Sequence, residues 1–229
     1  MPVRGHWVGA GLLAAFAGFA AAWPASSAPP FPGGEEAMAA AARGLEDAGP
    51  GYVLMLGDSN AAAVRQGDLP CRGRLVNLGI GGVRAGQYAD LLRAVRLPDG
   101  GALAVVNVGT GDIVRKLDPS MPSALDAYDA ALSAIVSRAA PHVARVVVAA
   151  LPPLAGRFAE KLDVDMVETY SKRAKAVCAR LGCTYADPWA PIRDGAFGSM
   201  WPSASRDGLH PEDPGQFYAR VLGDACARP

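Results

Sequence analysis

Five short apolar runs, each followed by a longer polar-and-apolar stretch, constrain this chain more than any other feature. The runs occupy residues 52–56, 74–77, 103–108, 145–151 and 184–186, and Val, Leu, Ala and Met dominate the longer ones. Near-continuous apolar character, rather than strict alternation with polar residues, marks strands covered on both faces, as in parallel sheets. Between them, residues 85–95, 123–140 and 164–181 carry an apolar period near that of an α-helix and are long enough for crossover connections. Residues 35–45 read as an extra helix before the first strand, and 211–227 as a helix that closes the domain. Strand–helix alternation with right-handed crossovers gives an α/β fold: a three-layer α/β/α sandwich on a five-stranded parallel sheet. No flexible linker divides residues 50–229, so one domain is expected, behind a leader and N-terminal helix at 29–49. A chain of 229 residues with 51% hydrophobic content can fill such a core. Its 22 basic and 22 acidic residues leave no electrostatic footprint for nucleic acid.

The first 28 residues belong to a different class. Arg4 and His6 precede an uncharged Ala/Gly/Phe-rich stretch from Trp7 to Trp23, and small residues follow at Ala25-Ser26-Ser27-Ala28. This is the layout of a secretory signal peptide with its cleavage site. The alternative is an uncleaved anchor, the one case in which a membrane becomes a partner. Both readings put the domain outside the cytoplasm, in the periplasm or secreted. In an oxidising compartment, Cys71, Cys178, Cys183 and Cys226 are expected to form disulfides. Three pairings exist, and the one expected here joins Cys178 to Cys183 and Cys71 to Cys226. The spacings are not those of a metal site, and only His142 and His210 remain beyond the leader, so neither metal nor cofactor is expected.

Open parallel sheets build their sites at the carboxyl ends of the strands, so those ends hold the candidate chemistry. The first run ends in Gly57-Asp58-Ser59-Asn60, with a helix start behind it. Taken alone, that tetrapeptide fits a helix cap as well as a nucleophile. The second ends in Asn77-Leu78-Gly79-Ile80-Gly81-Gly82. This is not a dinucleotide fingerprint, because the last glycine of G-x-G-x-x-G would fall on Arg84. Nor does a Walker A pattern occur. The third run ends in Asn107-Val108-Gly109-Thr110-Gly111-Asp112. Near the C-terminus, Asp207-Gly208-Leu209-His210 places an acid three residues before a histidine, a spacing that lets the carboxylate accept from Nδ1–H and leaves Nε2 free to face a serine.

In this order, the four blocks resemble the SGNH hydrolase family, a branch of the GDSL-type esterases and lipases, over essentially residues 50–226. Gly57-Asp58-Ser59 resembles the nucleophile block, Asn77-x-Gly79-x-x-Gly82 the glycine block, Gly109-Thr110-Gly111-Asp112 the G-x-N-D block, and Asp207-x-x-His210 the acid–base block. The resemblance implies an SGNH/flavodoxin-like sheet and a serine ester hydrolase working through an acyl-enzyme. Ser59 would be the nucleophile, His210 the general base and Asp207 its orienting acid, with the backbone N–H groups of Ser59 and Gly82 binding the oxyanion. In the family an Asn side chain adds a third oxyanion donor. Here that position is Gly111, and Asn60, Thr110 or Arg84 are the nearby residues that could replace it.

The same resemblance allows O-acyl transfer to envelope or extracellular glycans, or a degenerate binding domain on the same scaffold. The expected substrate is a small-molecule or glycan ester with a short acyl group, acetyl above all. Asn60, Thr110 and Trp201 are the expected pocket residues.

Overall fold

The computed structural model describes residues 29–156 and 158–226. The signal-peptide reading therefore lies outside the described residues. Five strands, β1 (Val53–Gly57), β2 (Leu75–Asn77), β3 (Leu103–Asn107), β4 (Val146–Ala149) and β5 (Thr184–Ala186), form one all-parallel sheet. Its order is β2-β1-β3-β4-β5. β1 and β3 are in register from Val53↔Leu103 to Gly57↔Asn107. The chain winds outward on one side of β1, then returns across it to β3. The loops leaving these two strands consequently diverge and open a crevice at their carboxyl ends.

The alternation of side chains along the doubly buried strands supplies both layers. Leu54, Leu56, Ala104, Val106 and Val148 point into one core, while Val53, Met55, Leu103, Val105 and Val147 point into the other. The first core is thick. It packs α1 (Gly34–Ala42), α3 (Ala85–Arg93), α4 (Pro122–Ala139) and α6 (Val164–Leu181) through Met38, Leu92, Leu132 and Tyr170. The second is thinner. It is covered by the single turn α2 (Ser59–Ala62), by α7 (Pro214–Cys226) and by the segment around the buried Trp189. Trp189 is stapled to the sheet edge by its indole N–H, which donates to the Ala150 carbonyl at 2.8 Å. Cys71–Cys226 ties the end of α7 to the loop before β2, and Cys178–Cys183 clips the end of α6 to β5. Burial of this size makes the hydrophobic term the main source of stability, at ~25 cal/mol per Å² of apolar surface.

The periodic stretches become elements with their ends shifted by a few residues: 164–181 coincides with α6, whereas the closing helix begins at Pro214 rather than 211. A further short helix, α5 (Phe158–Lys161), and 3₁₀ turns at Thr110–Ile113 and Arg115–Leu117 carry too few residues to show a period. These irregular pieces wall the crevice. Among the described residues, no helix is long and apolar enough to cross a membrane.

Candidate active site

β1 ends at Gly57, and the chain turns directly into α2, which leaves Ser59 at the first position of that turn. Asp58 is the N-cap: its carboxylate accepts the Asn60 N–H at 3.0 Å. Its other oxygen accepts the Thr110 N–H at 3.0 Å, so one buried side chain binds the loop after β1 to the loop after β3. Burial pushes the Asp58 carboxyl up, and the N–H donors of Asn60 and Thr110 hold it back. The helix-cap reading of this tetrapeptide is realised on Asp58, and the candidate nucleophile Ser59 is the next residue.

The glycine loop packs against the same turn. A Cβ at Gly79 would lie 2.3 Å from the Ala62 nitrogen, so only glycine lets the loop approach α2 this closely. Asn77 fastens the loop from the other side, donating to the Ala61 and Val64 carbonyls at 2.8 and 2.7 Å and accepting the Gly79 N–H at 2.8 Å. Gly81 and Gly82 are exposed at its tip, and Gly81 faces the Ser59 side chain.

The distant segment arrives from the loop before α7. His210 Nε2 lies 2.8 Å from Ser59 Oγ across 151 residues of chain. His210 Nδ1 lies 2.7 Å from Asp207 Oδ2. The other Asp207 oxygen accepts the N–H groups of Leu209 and His210, each at 2.8 Å, and the Ser205 hydroxyl lies 3.0 Å away. Burial raises the Asp207 pKa, but hydrogen bonds from the His210 backbone and ring, the Leu209 N–H and the Ser205 hydroxyl outweigh it. They hold the carboxyl well below the usual carboxylate range. Ser59, His210 and Asp207 thus form one hydrogen-bonded relay with the anion fixed at its far end. The chain contains a second Asp–His pair, His142 with Asp99 at 2.7 Å, but it lies in the surface loops on the amino-end side of β3 and faces Arg138 rather than a serine.

Of the other expected residues, Gly82, Gly111 and Thr110 border a cavity of about 680 Å³ that also includes Ser59. Asn60 and Trp201 do not. The Asn60 side chain is buried, with no hydrogen-bond partner among the described residues, and Trp201 is 51% exposed at the surface. The cavity walls that sequence reasoning missed are the apolar Val83, Val114, Phe158, Leu162 and Leu209 and the charged Arg115, Lys116, Glu160 and Lys161. Only Val83 and Leu209 had a signal, their places beside Gly82 and His210.

Gly111 has a physical explanation that the sequence does not reveal. A Cβ there would stand 2.7 Å from the Val83 carbonyl oxygen and 3.3 Å from Arg84 Cγ. The space an asparagine side chain would need is filled by the glycine loop itself. The neighbouring Asp112 turns that contact into a tether, since its carboxylate accepts the Ala85 N–H at 2.8 Å, at the start of α3. Burial raises its pKa to about 7, opposed by the Ala85 hydrogen bond and reinforced by the Asp58 charge.

Comparison with known proteins agrees with this architecture. The family model described as GDSL-like Lipase/Acylhydrolase family matches residues 38–216. A GDSL-like lipase from Bacteroides thetaiotaomicron superposes with a TM-score of 0.62 at 16% identity, covering 84% of this chain and 98% of that one. The acetylxylan esterase of Geobacillus stearothermophilus gives 0.55 at 19% identity, covering 80% and 97%. An α/β hydrolase from the metagenome of Lake Arreo, Spain, gives 0.55 at 21% identity, covering 81% and 100%. No curated protein matches the chain. At these identities the superpositions speak for the fold, and the match over residues 38–216 speaks for descent: the chain belongs to the GDSL-like lipase/acylhydrolase family.

Proposed function

We propose that this protein is an exported serine esterase that cleaves short-chain carboxylic esters, acetyl esters among them, through an acyl-enzyme. The observation that carries the reading is the uninterrupted relay Ser59–His210–Asp207, with contacts of 2.8 and 2.7 Å. Ser59 Oγ attacks the ester carbonyl carbon as His210 Nε2 takes the hydroxyl proton. The C–O bond to the alcohol then breaks, and His210 returns that proton to the departing alcohol oxygen. Water repeats the sequence, freeing the acid and restoring Ser59. Asp207, held as an anion, keeps Nδ1 protonated and stabilises the imidazolium that forms twice per cycle.

The tetrahedral oxyanion falls to the backbone N–H groups of Ser59 and Gly82. Both residues border the cavity, and neither N–H has a hydrogen-bond partner among the described residues. With Gly111 in place of a third donor, the expected turnover is about 10²–10³ below that of a three-donor site. Export is supported by the signal-like N-terminus together with all four cysteines being paired as disulfides.

The test is hydrolysis of 4-nitrophenyl acetate by the wild type and Ser59→Ala, with a fluorophosphonate as a serine-directed probe. Turnover and phosphonylation of Ser59 are expected in the wild type, with a rate loss on the order of 10⁵ or more in the variant. Undiminished turnover in Ser59→Ala would sink the reading. Phosphonylation without hydrolysis would point instead to a transferase awaiting a glycan acceptor.

A further inference from the structure

The triad divides two unlike spaces, and their difference identifies the part of the substrate that each receives. On one side lies the cavity of about 680 Å³ that includes Ser59, Gly82 and Gly111; Val83, Val114, Phe158, Leu162 and Leu209 give it apolar walls, and the exposed Arg115, Lys116, Glu160 and Lys161 also line it. On the other, a depression of about 450 Å³ is lined by Arg206, Asp207, His210, Glu212 and Asp213, every one of them polar or charged.

His210 must hand its proton to the leaving oxygen, so the alcohol half of the ester departs on the side where His210 is exposed. His210 borders the polar depression and not the apolar cavity. The acyl half, attached to the carbon between Ser59 Oγ and the oxyanion donors, is left with the apolar space. An acetyl methyl group fills a small corner of it. Known ligand pockets of roughly 300–1,000 Å³ enclose whole drug-sized molecules.

We propose, building on the esterase reading, that this cavity is an acyl-chain pocket and that linear acyl groups of about four to eight carbons are preferred over acetyl. The alcohol half, in the charged depression, is a polar one. Each methylene that moves from water onto Val114, Phe158 and Leu162 adds binding in the acylation transition state. A gain of about two- to fourfold in kcat/KM per carbon follows until the walls are covered.

The experiment is kcat/KM for 4-nitrophenyl acetate, butyrate, hexanoate, octanoate and decanoate, below their critical micelle concentrations, with phosphonylation of Ser59 followed in parallel. The expected result is a maximum between butyrate and octanoate at least tenfold above acetate. In Val114→Trp, which fills the cavity, the hexanoate-to-acetate ratio should drop at least tenfold. The ratio is internal to each preparation, so partial misfolding of the variant does not alter it, and the wild-type series stands on its own if the variant does not fold. A steady decline from acetate onward, or a maximum that Val114→Trp leaves in place, overturns the acyl pocket while leaving the esterase intact. Absence of both hydrolysis and phosphonylation overturns the esterase, and the pocket assignment with it.

Discussion

Ser59 and His210 meet at 2.8 Å, yet the two ends of that contact are held in different ways. The Ser59 end is positioned by the whole sheet. Gly57 closes β1 against Asn107 of β3, Asp58 ties the two following loops together, and Gly79 is wedged against α2. The His210 end is positioned mainly by six consecutive residues. From Ser205 to His210, the Asp207 carboxylate and the Ser205 hydroxyl gather the turn's own N–H groups, and a backbone bond from the Ala155 N–H to the Gly208 carbonyl at 2.8 Å ties the turn to the loop after β4. One end is rigid because many distant parts converge on it, the other mainly because it satisfies itself. A substitution at the sheet-held end should therefore disturb folding and rate together, and one in the turn should alter rate more than folding.

Asp207→Asn tests the second half of that statement and, after Ser59→Ala, should have the largest effect. The amide oxygen can still accept the Leu209 and His210 N–H groups, so the turn keeps its shape. Its NH₂ group, however, would face Nδ1 and demand the other histidine tautomer. A kcat loss of about 10⁴ is expected, with the thermal midpoint lowered only modestly, by the loss of the carboxylate's charge. A comparable collapse in both would show that the turn depends on the charge for its fold.

Gly111→Asn tests the first half. It introduces the residue that the family's block would place there, but its Cβ meets the Val83 carbonyl at 2.7 Å, an atom of the backbone that cannot swing aside. The expected outcome is a stability loss of roughly 1–3 kcal/mol from overpacking, together with a rate loss of about tenfold or more as Gly82 moves. A faster enzyme with an unchanged midpoint would mean the loop yields readily and the sheet-held end is softer than its contacts suggest.

The two ends also differ in the sign of their pH dependence. Asp207 is depressed, so its stabilisation is present above the unfolded carboxylate pKa, about 4, and is lost as pH falls through its folded value. Asp112 is raised to about 7, so the folded protein holds a proton there that the unfolded chain gives up near pH 4. Its favourable contribution is complete below about pH 4 and fades as pH rises towards 7. The thermal midpoint should accordingly fall by several degrees between pH 5 and pH 8. Asp112→Asn, which keeps an acceptor for the Ala85 N–H, should flatten that slope. An unchanged slope would move the titration elsewhere, with Asp58, also raised by burial, as the next candidate.

The contrast also accounts for what the sequence could convey. Strands and long helices were legible because burial on two faces or one stripe repeats over many residues, as in 103–108 or 164–181. The Asp207-x-x-His210 turn was legible because its geometry is local: the two residues stand three apart, and the hydrogen bonds of the Asp207 carboxylate stay within the turn. The crevice was only half legible. Its glycines and Ser59 stand at strand ends, but Val114, Phe158 and Leu162 arrive on short turns without a period, brought together only by the tertiary fold. The fit of Gly111 beneath Val83 joins two loops some thirty residues apart, so the sequence displays a missing asparagine and hides the carbonyl that excludes it. Trp201 misleads for the converse reason. It is near the acid–base turn in sequence, yet it faces solvent.

The smallest expected effect belongs to Ser205, which tests how self-sufficient the turn is. Its buried hydroxyl accepts the Gly208 N–H at 2.9 Å and has one proton to give, either to Asp207 Oδ1 at 3.0 Å or to the His210 carbonyl at 2.7 Å. The shorter distance favours the carbonyl, so the carboxylate leans mainly on Leu209, His210 and the imidazole. Ser205→Ala leaves the Gly208 N–H unpaired and should cost about 1–2 kcal/mol of stability. The relay keeps three of its four contacts to Asp207, so kcat should fall only about three- to tenfold. If Ser205→Ala instead matched Asp207→Asn in rate, the hydroxyl would be the group that holds the anion in line. The turn would then be organised around the serine rather than around its own backbone.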